Sequence, residues 1–273
     1  MNLAVRIISS FLSLPLFFII IYFLPDFCYP TAVSALCTMM VYELLWRNRV
    51  LKNFIVMVPA YISALVIPFL IYFEIPRDVF ITGLFVLVLA LFTIWIFNKD
   101  SLSLKALTIV IFGAVIIPLF FSLTISILMR ENGKFLILVP FIAAWLTDTG
   151  AYFTGVLFGR HKLAPVISPK KTWEGALGGI LFCMLSFMLY GYILSAFFAK
   201  QPDFSGFLLF AAVLSVIAQI GDLSFSLIKR EYNIKDFGTI FPGHGGILDR
   251  FDSVIFTSPA VFILLRYFEN IIR

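Results

Sequence analysis

The chain has 273 residues, 62% of them hydrophobic and 13% charged, with mean hydropathy +1.05 and net charge +5. A soluble domain carries about 25% charged residues, so this composition excludes a water-coated globule. Apolar runs of about 20 residues also exclude a membrane barrel, whose strands would be about 10 residues long with strict alternation. The expected fold class is an all-α polytopic membrane protein. Cys28, Cys37 and Cys183 are odd in number, scattered and set in or beside apolar runs. They read as small hydrophobes, with no disulfide and no metal spacing.

Apolar runs broken by charge, Pro and Gly predict nine helices, near 4–24, 30–46, 54–73, 79–97, 106–128, 135–158, 174–199, 205–228 and 247–268. The first run carries Arg6 early and no small-residue cleavage site after it, which reads as an uncleaved span. Nine spans put the termini on opposite sides. With the N-terminus inside, 14 of the 20 basic residues fall on the cytoplasmic side and 6 outside. That bias predicts a cytoplasmic N-terminus and an external C-terminus.

Two regions are expected. Residues 1–134 form an N-terminal transmembrane scaffold of about five helices, and 135–273 a catalytic region of about four, with cytoplasmic loops 159–173 and 229–246. In the first region Pro15, Pro59, Pro68 and Pro118 lie inside spans, where neighbouring helices can satisfy the freed carbonyls. Glu43, beside Trp46, Arg47 and Arg49, reads as a member of an interfacial ion pair. Its replacement by Gln should do little, and this region is assigned no chemistry. No repeated half is visible, which counts against the many transporters built from such repeats.

The second region is different in character. Trp145, Thr147, Asp148, Thr149 and Tyr152 place polar groups in a long apolar run, with Gly150 and Gly155 permitting close helix packing. Asp148 is the most deeply placed carboxylate. An interhelical hydrogen bond to Ser or Thr is its plainer reading, and a partner cation its functional one. The loop FGRHKLAPVISPKKTWEG follows, with Arg160, His161, Lys162, Lys170 and Lys171. Ser168 and Pro169 fit an N-cap and first helical position, which would put Lys170, Lys171 and Thr172 in a helix's first turn near free N–H groups. Part of this basicity is ordinary positive-inside signal, and His161 reads as a lipid-surface contact rather than a ligand.

Next, Gln219, Gly221, Asp222, Ser224 and Ser226 make the end of an apolar span polar. On a helix Asp222, Ser226 and Lys229 fall within roughly 60° of one another. One face thus carries a carboxylate, a hydroxyl and an ammonium. The loop after it holds Lys235, Asp236, Gly238, Pro242 and Gly243-His244-Gly245-Gly246, whose glycines let backbone N–H groups approach an anion. Asp249 and Asp252 stand three apart on the next helix, able to share a metal from one side, with Arg250 turned away. Hard oxygen donors without a Cys or His cluster point to Mg²⁺. The chemistry implied is metal-assisted phosphoryl or nucleotidyl transfer at the membrane–cytoplasm boundary.

The series Ser226-x-x-Lys229-Arg230, Lys235-Asp236-x-Gly238 and Pro242-x-His244-Gly245-Gly246-x-x-Asp249-Arg250-x-Asp252 resembles the signature of the phosphatidate cytidylyltransferase (CDP-diacylglycerol synthase) family. Upstream, Asp148-Thr149-x-Ala151-Tyr152, Gly155, Phe158-Gly159-Arg160 and Ser168-Pro169-x-Lys171-Thr172-x-Glu174-Gly175 resemble it too. The resemblance implies that CTP and phosphatidic acid give CDP-diacylglycerol and pyrophosphate, with Mg²⁺ alone or with a second cation. It implies Asp222 and Asp249 as catalytic metal ligands, joined by Asp252 and Asp148. Lys229, Arg230, Lys171 and Arg250 would meet phosphate. Ser168, Thr172, Ser226 and His244 with Gly245 and Gly246 would position substrate. It further implies a homodimer in the bilayer of a bacterial-type cytoplasmic (inner) membrane, with the site facing the cytoplasm and no nucleic-acid partner. Two other readings share parts of the pattern: a CTP-dependent polyprenol or lipid-alcohol kinase, and an ion or anion carrier using Asp148 and Asp222.

Overall fold

The computed structural model describes residues 18–19, 21–47, 54–99, 102–240, 245–268 and 271–273. Most of the expected first span, 4–24, lies outside the described residues, as does His244. Eight long helices follow: α1 (Cys28–Arg47), α2 (Phe54–Tyr72), α3 (Arg77–Phe97), α4 (Leu104–Leu128), α5 (Gly133–Phe158), α6 (Trp173–Phe198), α7 (Phe204–Glu231) and α8 (Leu248–Tyr267). Among the described residues the first seven are long and apolar enough to cross a membrane. The eighth matches them in length but opens on Asp249, Arg250 and Asp252. Each stands where an apolar run predicts it. A helix satisfies its own backbone groups, so in lipid a run of about 20 apolar residues has few other choices.

The chain divides into two compact units. The first comprises residues up to Ser126 together with Ile234–Phe251, the second Ile127–Asn233 with Asp252–Arg273. The loop before α8 and its first turn therefore pack with the N-terminal helices. In the first unit α1 ends in a π-helical turn, Glu43–Arg47, and α4 contains another, Phe112–Ile116. Gly113 in the second turn packs on the first, where an added Cβ would meet Leu44 Cδ2 at 3.4 Å. Ser34 Oγ donates to Leu65 O at 2.9 Å and ties α1 to α2.

In the second unit α5 and α6 run against each other through small residues. A Cβ at Gly150 would lie 2.4 Å from Phe182 Cβ, and one at Gly178 2.2 Å from Thr154 Oγ1. The core beside them gathers Phe187, Phe207, Phe210, Leu214, Val261 and Leu265, all buried. Thr257 Oγ1 donates to Pro140 O at 3.0 Å, joining α8 to α5.

Between α5 and α6 lies a small antiparallel hairpin, β1 (Lys162–Ala164) and β2 (Ser168–Thr172), in which Lys162 faces Thr172 and Ala164 faces Ser168. This corrects the expectation that Ser168 caps a helix beginning at Pro169. Pairing with Lys162–Ala164 holds the segment extended from Ser168 through Thr172, so no helix begins at Pro169. The capping role passes to Thr172. Its Oγ1 accepts the Gly175 N–H at 3.1 Å, and α6 starts at Trp173.

Candidate active site

In the second unit the hairpin, α5, α6 and α7 enclose a cavity of about 420 Å³. Asp148, Tyr152, Lys162, Lys170, Lys171 and Asp222 line it, with Thr172 and Gln219. Asp148 and Asp222 come from adjacent helices. Lys171 comes from the strand, where alternation sends Lys170 and Lys171 to opposite faces. Lys170 is exposed at the rim, while Lys171 turns inward and forms an ion pair with Asp222, the two side chains 25% and 21% exposed. Thr172 is buried, and its hydroxyl serves as the α6 cap. Ser168, at the far end of β2, does not line the cavity. Gln219 Nε2 donates to Ala176 O at 3.3 Å, fixing α7 against α6 on the cavity wall.

Asp252 in α8 is buried, and its Oδ1 accepts its neighbour's amide, Ser253 N, at 2.6 Å. Its carboxylate lies in the electrostatic field of Asp222, Asp148 and Lys229. Three carboxylates and two ammonium groups, Lys171 and Lys229, thus share one region of the second unit. Burying like charges together is costly unless a cation offsets them. Lys171 and Lys229 supply part of that charge. Ser226, one turn before Lys229, is half-buried. Arg230 Nε instead donates to Ile167 O at 3.1 Å, bracing the hairpin.

Asp249 belongs to the first unit. Its Oδ2 accepts Phe237 N at 2.8 Å, Gly246 N at 2.9 Å and Gly238 N at 3.4 Å. Gly245 has φ +83°, a left-handed conformation suited to glycine, and a Cβ there would lie 2.8 Å from Asp249 Oδ2. Asp249 thus folds the glycine turn onto itself. Arg250 is exposed.

The chain matches the Cytidylyltransferase family over residues 4–268. It belongs to this family. A phosphatidate cytidylyltransferase of Rickettsia conorii is 39% identical over 170 residues, 61% of this chain and 74% of that protein. One of Staphylococcus epidermidis is 50% identical over 136 residues, 50% of this chain and 51% of that protein. One of Rickettsia prowazekii is 37% identical over 171 residues.

Within this cytidylyltransferase-family chain, two contacts escape the sequence reading. Glu43 is fully buried, and its Oε1 and Oε2 accept Ile247 N at 3.1 Å and Leu248 N at 2.8 Å. An acidic residue late in an apolar run was the available signal, since such residues carry a function by default. Its neighbours Arg47 and Arg49 masked it. Glu174 likewise accepts Arg160 N and His161 N, at 3.1 and 3.2 Å, and lies 2.6 Å from His161 Nδ1. His161 therefore closes the hairpin in addition to facing outward. Among the described residues no three His, Cys, Asp or Glu side chains converge tightly enough to cage a metal. Mg²⁺ seldom needs such a cage, since it commonly takes one or two carboxylates plus water and substrate phosphate. The oxygen-only donors Asp148, Asp222 and Asp252 fit that habit.

Proposed function

We propose that this chain is an integral-membrane phosphatidate cytidylyltransferase that condenses CTP with phosphatidic acid to CDP-diacylglycerol and pyrophosphate. A lipid phosphate oxygen forms a new bond to the α-phosphorus of CTP. The bond from that phosphorus to the bridging α–β oxygen breaks, and pyrophosphate leaves with the electron pair. The nucleophile is already anionic at neutral pH, so the protein's task is to hold two polyanions together. The observation that carries the reading is the Lys171–Asp222 pair in a cavity walled by Lys162, Lys170 and Asp148, in a chain of this family.

Bound Mg²⁺ would neutralise triphosphate charge, held by Asp222 and Asp252 with Asp148 near. Lys171 and Lys229 balance the carboxylates and face incoming phosphate. Arg230 and Ser226 complete the phosphate contacts. Thr172 acts by fixing where α6 begins. The basic-residue bias supports a cavity at the cytoplasmic face, with the N-terminus inside. A homodimer is part of the proposal: among the described residues α3 buries only Leu91, leaving its outer face to lipid or a second copy.

The test is turnover by the purified full chain with phosphatidic acid, CTP labelled at the α-phosphate, and Mg²⁺ present or chelated. Label entering the lipid only with Mg²⁺ supports the proposal. Transfer of a γ-label to an isoprenoid alcohol instead would replace it with a kinase.

A further inference from the structure

We infer that Glu43, in the N-terminal helix α1, is a positioning residue for the turn that carries the glycines and Asp249. The inference rests on the cytidylyl-transfer reading for its consequence, but its geometry stands without it. Helix starts leave their first N–H groups without backbone partners. At α8 two of these amides, Ile247 and Leu248, are taken by the two oxygens of one buried carboxylate, Glu43. Asp249 takes three more amides of the same turn, from Phe237, Gly238 and Gly246. Two acids therefore bind five N–H groups in one compact structure.

The glycines on either side show how tightly Glu43 is seated. A Cβ on Gly238 would lie 1.9 Å from Glu43 Oε1, and one on Gly246 2.3 Å from Oε2. Those positions admit no side chain because the carboxylate occupies the space. One helical turn on, the Arg47 guanidinium donates to Thr239 Oγ1, giving the segment a second tether to α1. Both tethers leave from the π-helical turn Glu43–Arg47. Such turns widen a helix and re-aim side chains, and they recur at functional sites. In the proposed reaction this turn, part of the family motif, serves the nucleotide phosphates, so its placement sets CTP affinity. Displacement of about 1 Å at such a site can cost on the order of 100-fold.

The experiment combines amide hydrogen exchange with kinetics on the full chain in lipid nanodiscs, for wild type and Glu43→Gln. Gln keeps the shape but turns an NH₂ group toward an amide N–H. Exchange across 237–249 should quicken at least tenfold in Glu43→Gln while α5 and α6 stay unchanged. The KM for CTP should rise at least tenfold with the KM for phosphatidic acid within twofold. A purely structural defect would lower the active fraction and leave both KM values alone, which would overturn the inference, as would unchanged exchange. If Glu43→Gln does not fold, the wild type decides. Protected Ile247 and Leu248 amides support the inference, and amides exchanging as at an uncapped helix start overturn it. A wild type without lipid-linked label would sink cytidylyl transfer while the exchange arm still decides the geometry.

Discussion

Replacing Lys171 with Met should destabilise the chain more than replacing Asp222 with Asn, and the double replacement should recover most of the loss. Lys171 and Asp222 pair with side chains about three-quarters buried, and buried Asp252 lies in the field of Asp222 and Asp148. Breaking a fully buried pair costs about 3–5 kcal/mol, whereas an exposed pair is worth about 0–1 kcal/mol. The partial exposure places Lys171→Met between these limits, near about 2 kcal/mol. At about 2–4 °C per kcal/mol for a chain of this general size, its melting temperature should fall by about 4–8 °C. Asp222→Asn loses the same pair but also removes one repulsive neighbour of Asp252, so its cost should be less than half as large. The assay is thermal unfolding in one detergent with metal chelated, since bound Mg²⁺ could stand in for the lost ammonium. Equal melting temperatures for Lys171→Met and the double variant would refute the coupling. So would a larger loss for Asp222→Asn.

Other substitutions test the remaining joints. Gly246→Ala and Gly238→Ala force a methyl into the Glu43 carboxylate, so both should lose folded yield in membranes, whereas Gly83→Ala, with nothing near its Cβ, should not. Thr172→Val removes the α6 cap and should cost about 1 kcal/mol or more, while Thr172→Ser should stay near wild type in the same melting assay. Asp249→Asn keeps one acceptor for the Phe237, Gly238 and Gly246 amides but loses the charge, and turnover should fall at least 100-fold. A Mg²⁺ titration then separates its roles: a raised Mg²⁺ requirement marks a ligand, an unchanged one marks a turn-former.

The substitutions divide between what hydropathy reveals and what it hides. Eight helices stand where their apolar runs place them, because a membrane helix closes its hydrogen bonds within itself and needs no distant partner. Asp148 and Asp222 were visible for a related reason: a carboxylate in an apolar run stands out whatever packs around it. The small residues at Gly150 and Gly178 were equally local signals of close helix approach. The hairpin was less legible. Ser168-Pro169 fits a helix start in isolation, and only pairing with Lys162–Ala164 made the segment extended and turned Lys171 toward Asp222.

Composition and periodicity by themselves determined the class of molecule and the positions of the eight long helices among the described residues, and the motif series pointed to one family by resemblance. Tertiary structure alone decided that residues 234–251 pack with the N-terminal helices and that Glu43 is part of that packing. Its partners lie 204 and 205 positions away along the chain. No local pattern encodes a bond between a side chain and a backbone amide, since every residue but proline has the same N–H to offer. Only the folded geometry selects which one a buried carboxylate meets.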